Sequence, residues 1–423
     1  MITSTRIDRK PLLDWYAANR RRSALLFGSI DPEAFLDRPI PLRHPPIFYE
    51  GHIPAFTYNT LLRKALGAPS INADFEVLFE RGIDPSNESI AGAHARSDWP
   101  SRDRIAAFAD AVDRAVLATI ADAAIDDGDA SPLLERAQAV YTILEHEEMH
   151  HETLLYLMLR LPLDRKAAPF ASRHIDQPAP NRGRVEVATG EATLGALRDR
   201  IVFAWDNELD GATIEVPRFS IDVNPVTNGE YVAFVEATGA AAPSFWFQRN
   251  GNWMLRAMFD ELPLPLSWPV YATNDQAAAF AAWRGGRLPT EAEYHRAAYG
   301  TPHGDERRYP WGDLEPAPEH GNFDFQRFDP EPVGSRPAGA SAWGVNELVG
   351  NGWEWTATPF GPLPGFEPMA SYPQYSADFF DGRHFVVKGA SPVTARTLIR
   401  RSLRNWFYAD YPYMFAKFRT VSD

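Results

Sequence analysis

The sequence predicts a two-domain protein, an all-α bundle followed by an α+β domain. Three features carry this reading. Before residue 165, long stretches place apolar residues at three- and four-residue steps. Residues 166–184 are rich in Pro, charge and small side chains. From 185 to 423 the apolar segments are brief and punctuated by Gly, Asn and Pro. At 423 residues the chain is too long for one ordinary core and suits two.

The first half supplies the helices in order. Residues 11–27 give one and 51–67, "GHIPAFTYNTLLRKALG", another, with Pro54 tolerated only near its start. The Ala-rich stretch 104–125 gives a third. The stretch 131–161 begins with Ser131 as a candidate N-cap and Pro132 at the first helical position. Short links between such helices suggest an up-and-down bundle over 1–165. Residues 166–184 are the expected linker. Beyond it, segments such as "GRVEVATGEATLGAL" and "ATIEVPRFSIDVNPVTNGEY" read as strands and turns. "NDQAAAFAAWRGGRLPTEAEYHRAAYG" is the helical exception.

Composition narrows the function. A net charge of −14 disfavours a nucleic-acid surface, which needs clustered Lys and Arg. No apolar run is long enough to span a bilayer, and "MITSTRIDRK" lacks a signal-peptide core, so a soluble cytoplasmic protein without membrane partners is expected. With no cysteine, disulfides, thiolate metal sites and a Cys nucleophile are excluded. Any metal must rest on His and carboxylates, which suit Zn, Fe or Mn.

Residues 145–152 read "EHEEMHHE". His146 and His150 are four apart, so a helix sets both imidazoles on one face. Leu144, Leu154, Leu155, Met158 and Leu159 form a broad apolar surface, with Glu148 and Glu152 expected to project elsewhere. The pair should therefore face the bundle axis. His52, in "YEGHIPAF", opens another predicted helix and is the candidate third ligand. His151 points to a different face, and His44, His94 and His174 read as loop histidines. Two metal chemistries fit. His146-Glu147-Glu148-Met149-His150 matches the H-E-x-x-H signature of zinc hydrolases, with Glu147 as general base. A three-His site instead leaves positions open for substrate and O₂, as in non-haem iron oxygenases. Glu147 and Glu148 would then orient an imidazole N–H. A third reading is a lectin-like binding module with a vestigial bundle.

The pairing of "GHIPAF" with "HEEMHHETLL" resembles the DinB-like four-helix bundle at the front of ergothioneine-biosynthesis sulfoxide synthases. The second half resembles their C-type-lectin/formylglycine-generating-enzyme-like domain. The matching stretches are "FAWDNE" (203–208), "FSIDVNPVTNGEYVAF" (219–234), "GGRLPTEAEYHRAA" (285–298), "YPWGD" (309–313), "NELVGNGWEWTATPFGPLPGF" (346–366), "RSLRNWF" (401–407) and "FAKFR" (415–419). The resemblance covers nearly the whole chain. Formylglycine-generating enzymes themselves use cysteines, so that activity is not expected here.

The resemblance implies an enzyme using Fe(II) and O₂ to bond a chalcogen to the imidazole C2 of hercynine, the trimethylated betaine of histidine. It makes His52, His146 and His150 the iron ligands and asks for a tyrosine as proton or hydrogen donor, Tyr372 favoured over Tyr375. Asn405 and Trp406 match positions near the betaine, whose trimethylammonium suits the aromatic faces of Trp406, Phe407 and Tyr408. The chain departs from the mycobacterial type, in which R-N-W is followed by an Asp and, four residues later, an Arg that grip γ-glutamylcysteine. Here those positions hold Phe407 and Tyr411, and Met149 replaces the Gln usual before the third His. "IFYEGHIPAF" and "RNWFYADYPYMFAKFR" are closer to the selenoneine-forming branch, which joins a 1-seleno-sugar to hercynine. The alternative is a cysteine- or γ-glutamylcysteine-using sulfoxide synthase with charged grips elsewhere, such as Arg96 or Arg404.

Overall fold

The computed structural model describes residues 7–80, 98–170, 174–175, 177–178, 180 and 182–423. The chain divides into two compact units, Met1–Ala171 with Ala370–Tyr372, and Ser172–Met369 with Pro373–Asp423.

The first unit is helical. Helix α1 (Arg9–Gly28) starts where the Asp8 side chain accepts from the Lys10 amide. Helix α2 (Pro46–Thr57) widens into a π-helical turn at Tyr58–Ala65. The short α3 (Ala73–Leu78) is capped by Asn72. Two long helices follow, α4 (Arg102–Asp122) and α5 (Gln138–Arg160). Helices α1 and α2 each pack on both α4 and α5, which makes the bundle. On α4 the buried residues Ile105, Phe108, Val112, Val116 and Ile120 recur at helical spacing and form one stripe.

Two expectations need correction. Helix α2 starts five residues before Gly51, so Pro54 lies inside it and His52 lies mid-helix. The proline removes one backbone donor and crowds the carbonyl of residue 50, and the widened turn follows. Ser131 and Pro132 do begin a helical turn, but it is a separate 3₁₀ segment. Glu135 and Arg136 leave helical geometry, and α5 starts afresh at Gln138. Glu148 and Glu152, expected to project away from the apolar surface of α5, are themselves buried, at 2% and 6% exposure.

Within the expected linker, Lys166 is buried and donates to the carbonyls of Met158 and Leu159, while Arg184 opens the first strand. No helix among the described residues is long and apolar enough to cross a membrane.

The second unit mixes short strands, three helices and long irregular loops. Strands β1 (Arg184–Val187), β4 (Phe219–Asp222) and β12 (Val421–Ser422) form one sheet, and β2 (Gly190–Leu194) pairs with β3 (Ala212–Val216). Strands β5 (Trp246–Arg249), β6 (Asn252–Arg256) and β7 (Glu261–Pro263) form a meander. The largest sheet runs β10-β9-β8-β11, from β8 (Gly352–Pro359), β9 (His384–Ala390), β10 (Asn405–Tyr408) and β11 (Ala416–Lys417).

Helices α6 (Asn228–Thr238), α7 (Asn274–Trp283) and α8 (Glu291–Tyr299) all start the same way. Thr227, Thr273 and Thr290 cap them, each in a reciprocal box with Glu230, Gln276 and Glu293 respectively. Val187, Phe219, Ile221, Tyr294, Leu348 and Val421 form one core cluster.

Polar side chains hold the long loops. Asn351 Oδ1 accepts from the Asn322 side chain and the Glu331 amide, and its Nδ2 donates to the Glu331 carbonyl. Arg419, fully buried, pairs with Glu354 and donates to carbonyls of Asp222, Val223, Asn346 and Glu347. Arg419→Ala is therefore expected to destabilise the protein by about 3–5 kcal/mol, because it strands these acceptors without water. Urea unfolding of the full-length variant measures this.

Candidate metal centre

The packing of α2 on α5 brings three imidazoles to one point. His52 and His146 are buried and His150 is nearly so. Their Nε2 atoms lie 3.3 Å (His52–His146), 3.1 Å (His52–His150) and 3.1 Å (His146–His150) apart.

The ring of His52 is fixed from behind. Its Nδ1 lies 2.7 Å from the Phe79 carbonyl, and a carbonyl only accepts, so Nδ1 carries the proton and Nε2 presents a lone pair. Phe79 packs directly over Gly51, where an added Cβ would come within 2.5 Å of its ring. His146 is stacked by Phe56, with centroids 3.5 Å apart and planes 9° from parallel. Phe56 lies one turn beyond His52 on α2, so one helix provides both a cluster member and the ring that holds another.

Electrostatics keep the cluster neutral. Burial lowers the His52 pKa to about 4. Burial, and then the neighbouring histidines, hold His146 and His150 well below the ordinary histidine range. Neutral imidazoles are the form that binds metals. Nitrogens about 2.0–2.1 Å from a shared first-row ion subtend mutual separations close to those seen here. The Nδ1 atoms of His146 and His150 have no hydrogen-bond partner among the described residues, so no protein acceptor turns either ring away from the cluster. The donor set fits an imidazole-bound ion such as iron or zinc.

The neighbouring acids do something else. Glu147 accepts from Ser23 Oγ at 2.6 Å and pairs with Arg20 at 3.1 Å. Burial alone would raise its pKa, but Arg20, His151 and Ser23 hold the carboxyl below its ordinary range. Glu148 accepts from Trp15 Nε1 at 2.8 Å. The partners of Glu147 lie on α1, away from the three clustered imidazoles. Both printed contacts of Glu147 with α1 use Oε1, and its Oε2 is buried without a hydrogen-bond partner among the described residues. His151, on a different face from the cluster, is buried 2.8 Å from Ser23 Oγ. The sequence reading missed Arg20, Ser23, Phe56 and the Phe79 carbonyl. The polar residues of α1 at helical spacing were the available signal for the first two. A backbone carbonyl from another helix leaves none.

The two candidate tyrosines part company. Tyr372 belongs to the histidine-bearing unit, its ring centroid 5.3 Å from Phe56 and 6.3 Å from His146. Tyr375 belongs to the second unit, stacked on Trp205 at 4.1 Å and 5.3 Å from Trp406.

The other candidates on the second unit lie along and beside β10. Trp406 is stacked on Phe360 with centroids 4.1 Å apart, and Tyr408 lies 3.9 Å from the His384 ring. Phe407 is stacked instead on Tyr411 at 5.1 Å. Successive strand residues face opposite sides, so Phe407 lies on the other face of β10 from Trp406 and Tyr408. Asn405 accepts from the Trp406 amide through Oδ1. Arg404 is buried, donating to both Glu291 oxygens and to the carbonyls of Asn207 and Gly361, so it is not an available grip. Met149 is half-buried on α5. Arg96 and His94 lie outside the described residues.

Comparison with known proteins agrees with this architecture. Residues 16–154 match the DinB superfamily and residues 171–423 the sulfatase-modifying factor enzyme 1-like domain. The chain thus falls in a class of two-domain proteins, a DinB-type bundle ahead of a sulfatase-modifying-factor fold. It is 34% identical over 372 residues to a hercynine oxygenase of Mycobacterium tuberculosis, covering 81% of this chain and 84% of that one. It is 31% identical over 426 residues to ergothioneine biosynthesis protein 1 of Schizosaccharomyces pombe, covering 91% of this chain and 52% of that one. Among solved structures, PvdO from Pseudomonas aeruginosa aligns with 56% of this chain and 93% of its own, at a TM-score of 0.42 and 21% identity. The chain belongs to the hercynine oxygenase family of ergothioneine-biosynthesis sulfoxide synthases, and it is an oxidoreductase.

The Gly51–Phe79 contact is open to test. Gly51→Ala is expected to destabilise by about 1–3 kcal/mol through overpacking. Adding Phe79→Leu, which keeps the carbonyl but removes the offending ring, is expected to recover part of the loss. Denaturant midpoints of the single and double variants measure it.

Proposed function

We propose that this oxidoreductase holds Fe(II) through His52, His146 and His150 and uses O₂ to join a chalcogen to the imidazole C2 of hercynine. The observation that carries the reading is the buried triangle of three neutral Nε2 atoms with a tyrosine beside it. A ferrous ion bound there supplies the one-electron chemistry that lets O₂ oxidise two closed-shell partners.

The chain's own residues do the rest. The histidines contribute no charge and leave the remaining positions around the ion to substrate. Tyr372 is the proton or hydrogen donor, since its ring is the one that neighbours His146 and Phe56. Tyr375 instead packs with Trp205 and Trp406 and helps shape an aromatic surface. A trimethylammonium group seeks such faces, and Trp406, flanked by Asn405, offers one.

For the chalcogen donor we favour a 1-seleno-sugar, which makes the reaction a step of selenoneine biosynthesis. Phe407 and Tyr411 carry no charge and stack on each other, and Arg404 is already paired with Glu291. An amino-acid zwitterion finds no charged partner among them, whereas a sugar ring stacks on aromatic faces and its hydroxyls meet tyrosine and backbone groups. The second reading, a cysteine or γ-glutamylcysteine donor, is favoured by the ergothioneine-related names of the relatives.

His52→Ala, His146→Ala and His150→Ala are each expected to abolish stoichiometric iron binding, whereas His151→Ala retains it at saturating iron. Full iron in two of the three cluster variants would refute the ligand assignment. Tyr372→Phe is expected to lose far more turnover than Tyr375→Phe, read as product formed by anaerobically purified Fe(II) protein after addition of O₂.

Donor choice has a magnitude. Two missing charge-assisted contacts at about 1.5–3 kcal/mol each amount to about two to four decades in kcat/KM against γ-glutamylcysteine. With hercynine and both donors at equal concentration, the seleno-sugar is expected to be consumed first. Prior consumption of γ-glutamylcysteine or cysteine would replace the selenium reading with the sulfur one.

A further inference from the structure

Helix α5 carries a second i,i+4 pair, Glu147 and His151, offset by one residue from His146 and His150. Both are buried, at 1% and 0% exposure, in a bundle that could have been packed with apolar residues. They meet polar residues of α1 recurring at helical spacing. Ser23 Oγ donates to Glu147 Oε1 at 2.6 Å and therefore accepts from His151 Nε2 at 2.8 Å. Arg20 pairs with the same carboxylate oxygen at 3.1 Å. Asn19 Nδ2 donates to the Leu144 carbonyl at 2.9 Å. Behind Arg20 stands Asp113 of α4, 3.9 Å away, which also accepts from Tyr16 at 2.6 Å.

Removing Arg20 and Glu147 from water carries a desolvation penalty that well-packed apolar residues would avoid, so stability alone does not account for the arrangement. Polar contacts do what apolar ones do poorly: they fix one rotation of a helix and reject its neighbours. Rotation is what the histidine cluster is sensitive to. An imidazole Nε2 stands roughly 6 Å from its helix axis, so a roll of about 10° moves it by about 1 Å. That displacement is large against the tolerance of about 0.5 Å that a preorganised site allows.

We infer that the Arg20–Ser23–Glu147–His151 network is a rotational clamp, whose residues are positioning residues that set the roll of α5 and so the convergence of His146 and His150 on His52. This rests on the reading of the three histidines as a metal centre. It gives "EHEEMHHE" two interleaved duties, one face for the ion and the next for the clamp.

The test uses the full-length apoprotein titrated with Co(II), whose visible bands report ligand geometry. Ser23→Ala removes the hydroxyl shared by Glu147 and His151, and Glu147→Gln removes the charge paired with Arg20, each with little change in volume. Val116→Ala, which opens a cavity in the apolar stripe of α4 without removing a clamp contact, is the control for general destabilisation. Both clamp variants are expected to lower Co(II) affinity by about 10- to 100-fold, the range typical of groups that orient ligands, and to shift the bands. Val116→Ala is expected to lower the apoprotein's unfolding temperature while leaving the bands in place. Unchanged affinity and bands in both clamp variants, or an equal change in Val116→Ala, would overturn the clamp alone. Wild-type protein that binds no Co(II), or that keeps it after His52→Ala, would overturn the metal centre and the clamp together.

Discussion

Three imidazole nitrogens held within 3.3 Å of one another, away from water, set the terms for the bundle. Such a group is tolerable only while every ring is neutral, since a proton on any one would be a charge without solvent among close neighbours. Burial enforces neutrality, and the Phe79 carbonyl fixes which nitrogen of His52 is bare. These demands explain local choices that otherwise look arbitrary. Residue 51 is a glycine because Phe79 must lie against it, and residue 56 is a planar ring because His146 needs a wall. Helix α5 meets these demands although Glu145, His146, Glu147, Glu148, His151 and Glu152 are all buried on it.

Much of this was legible in the sequence. Periodicity gave the long helices because amphipathic stripes such as that of α4 are local patterns, readable without knowing the partner. His146 and His150 were found by spacing and His52 by its place in a second helix, and the three come together. The misses share a cause. Polarity gives no sign that Glu148 and Glu152 are buried, Glu148 against Trp15 of α1 and Glu152 against Tyr156 one turn along α5. The break at Glu135 and Arg136 falls in a stretch of good helix formers, where propensity argues for continuity and tertiary context decides otherwise.

The second unit shows the other limit of sequence reading. Its textures of short strands and turns were evident, but its interior is organised by ions that composition alone would put on the surface. Arg404 with Glu291, Arg400 with Glu208 and Arg419 with Glu354 tie segments far apart in the chain. A charged residue reads as solvent-facing until its partner is known. This is why Arg404 stood as a candidate for substrate contact, although its donors were already spent on structure.

Strand β10 carries a consequence of its own. Trp406 opposes Val386 and Phe407 opposes Phe385 in the ladder, and alternation sends the two side chains to opposite faces, one toward Phe360 and the other toward Tyr411. Adjacent letters of the sequence are thus separate in space. A lineage can exchange what stands at 407 and 411 without disturbing the stack at 406, so the surfaces on the two sides of the strand can diverge independently, at the rate of ordinary point mutation.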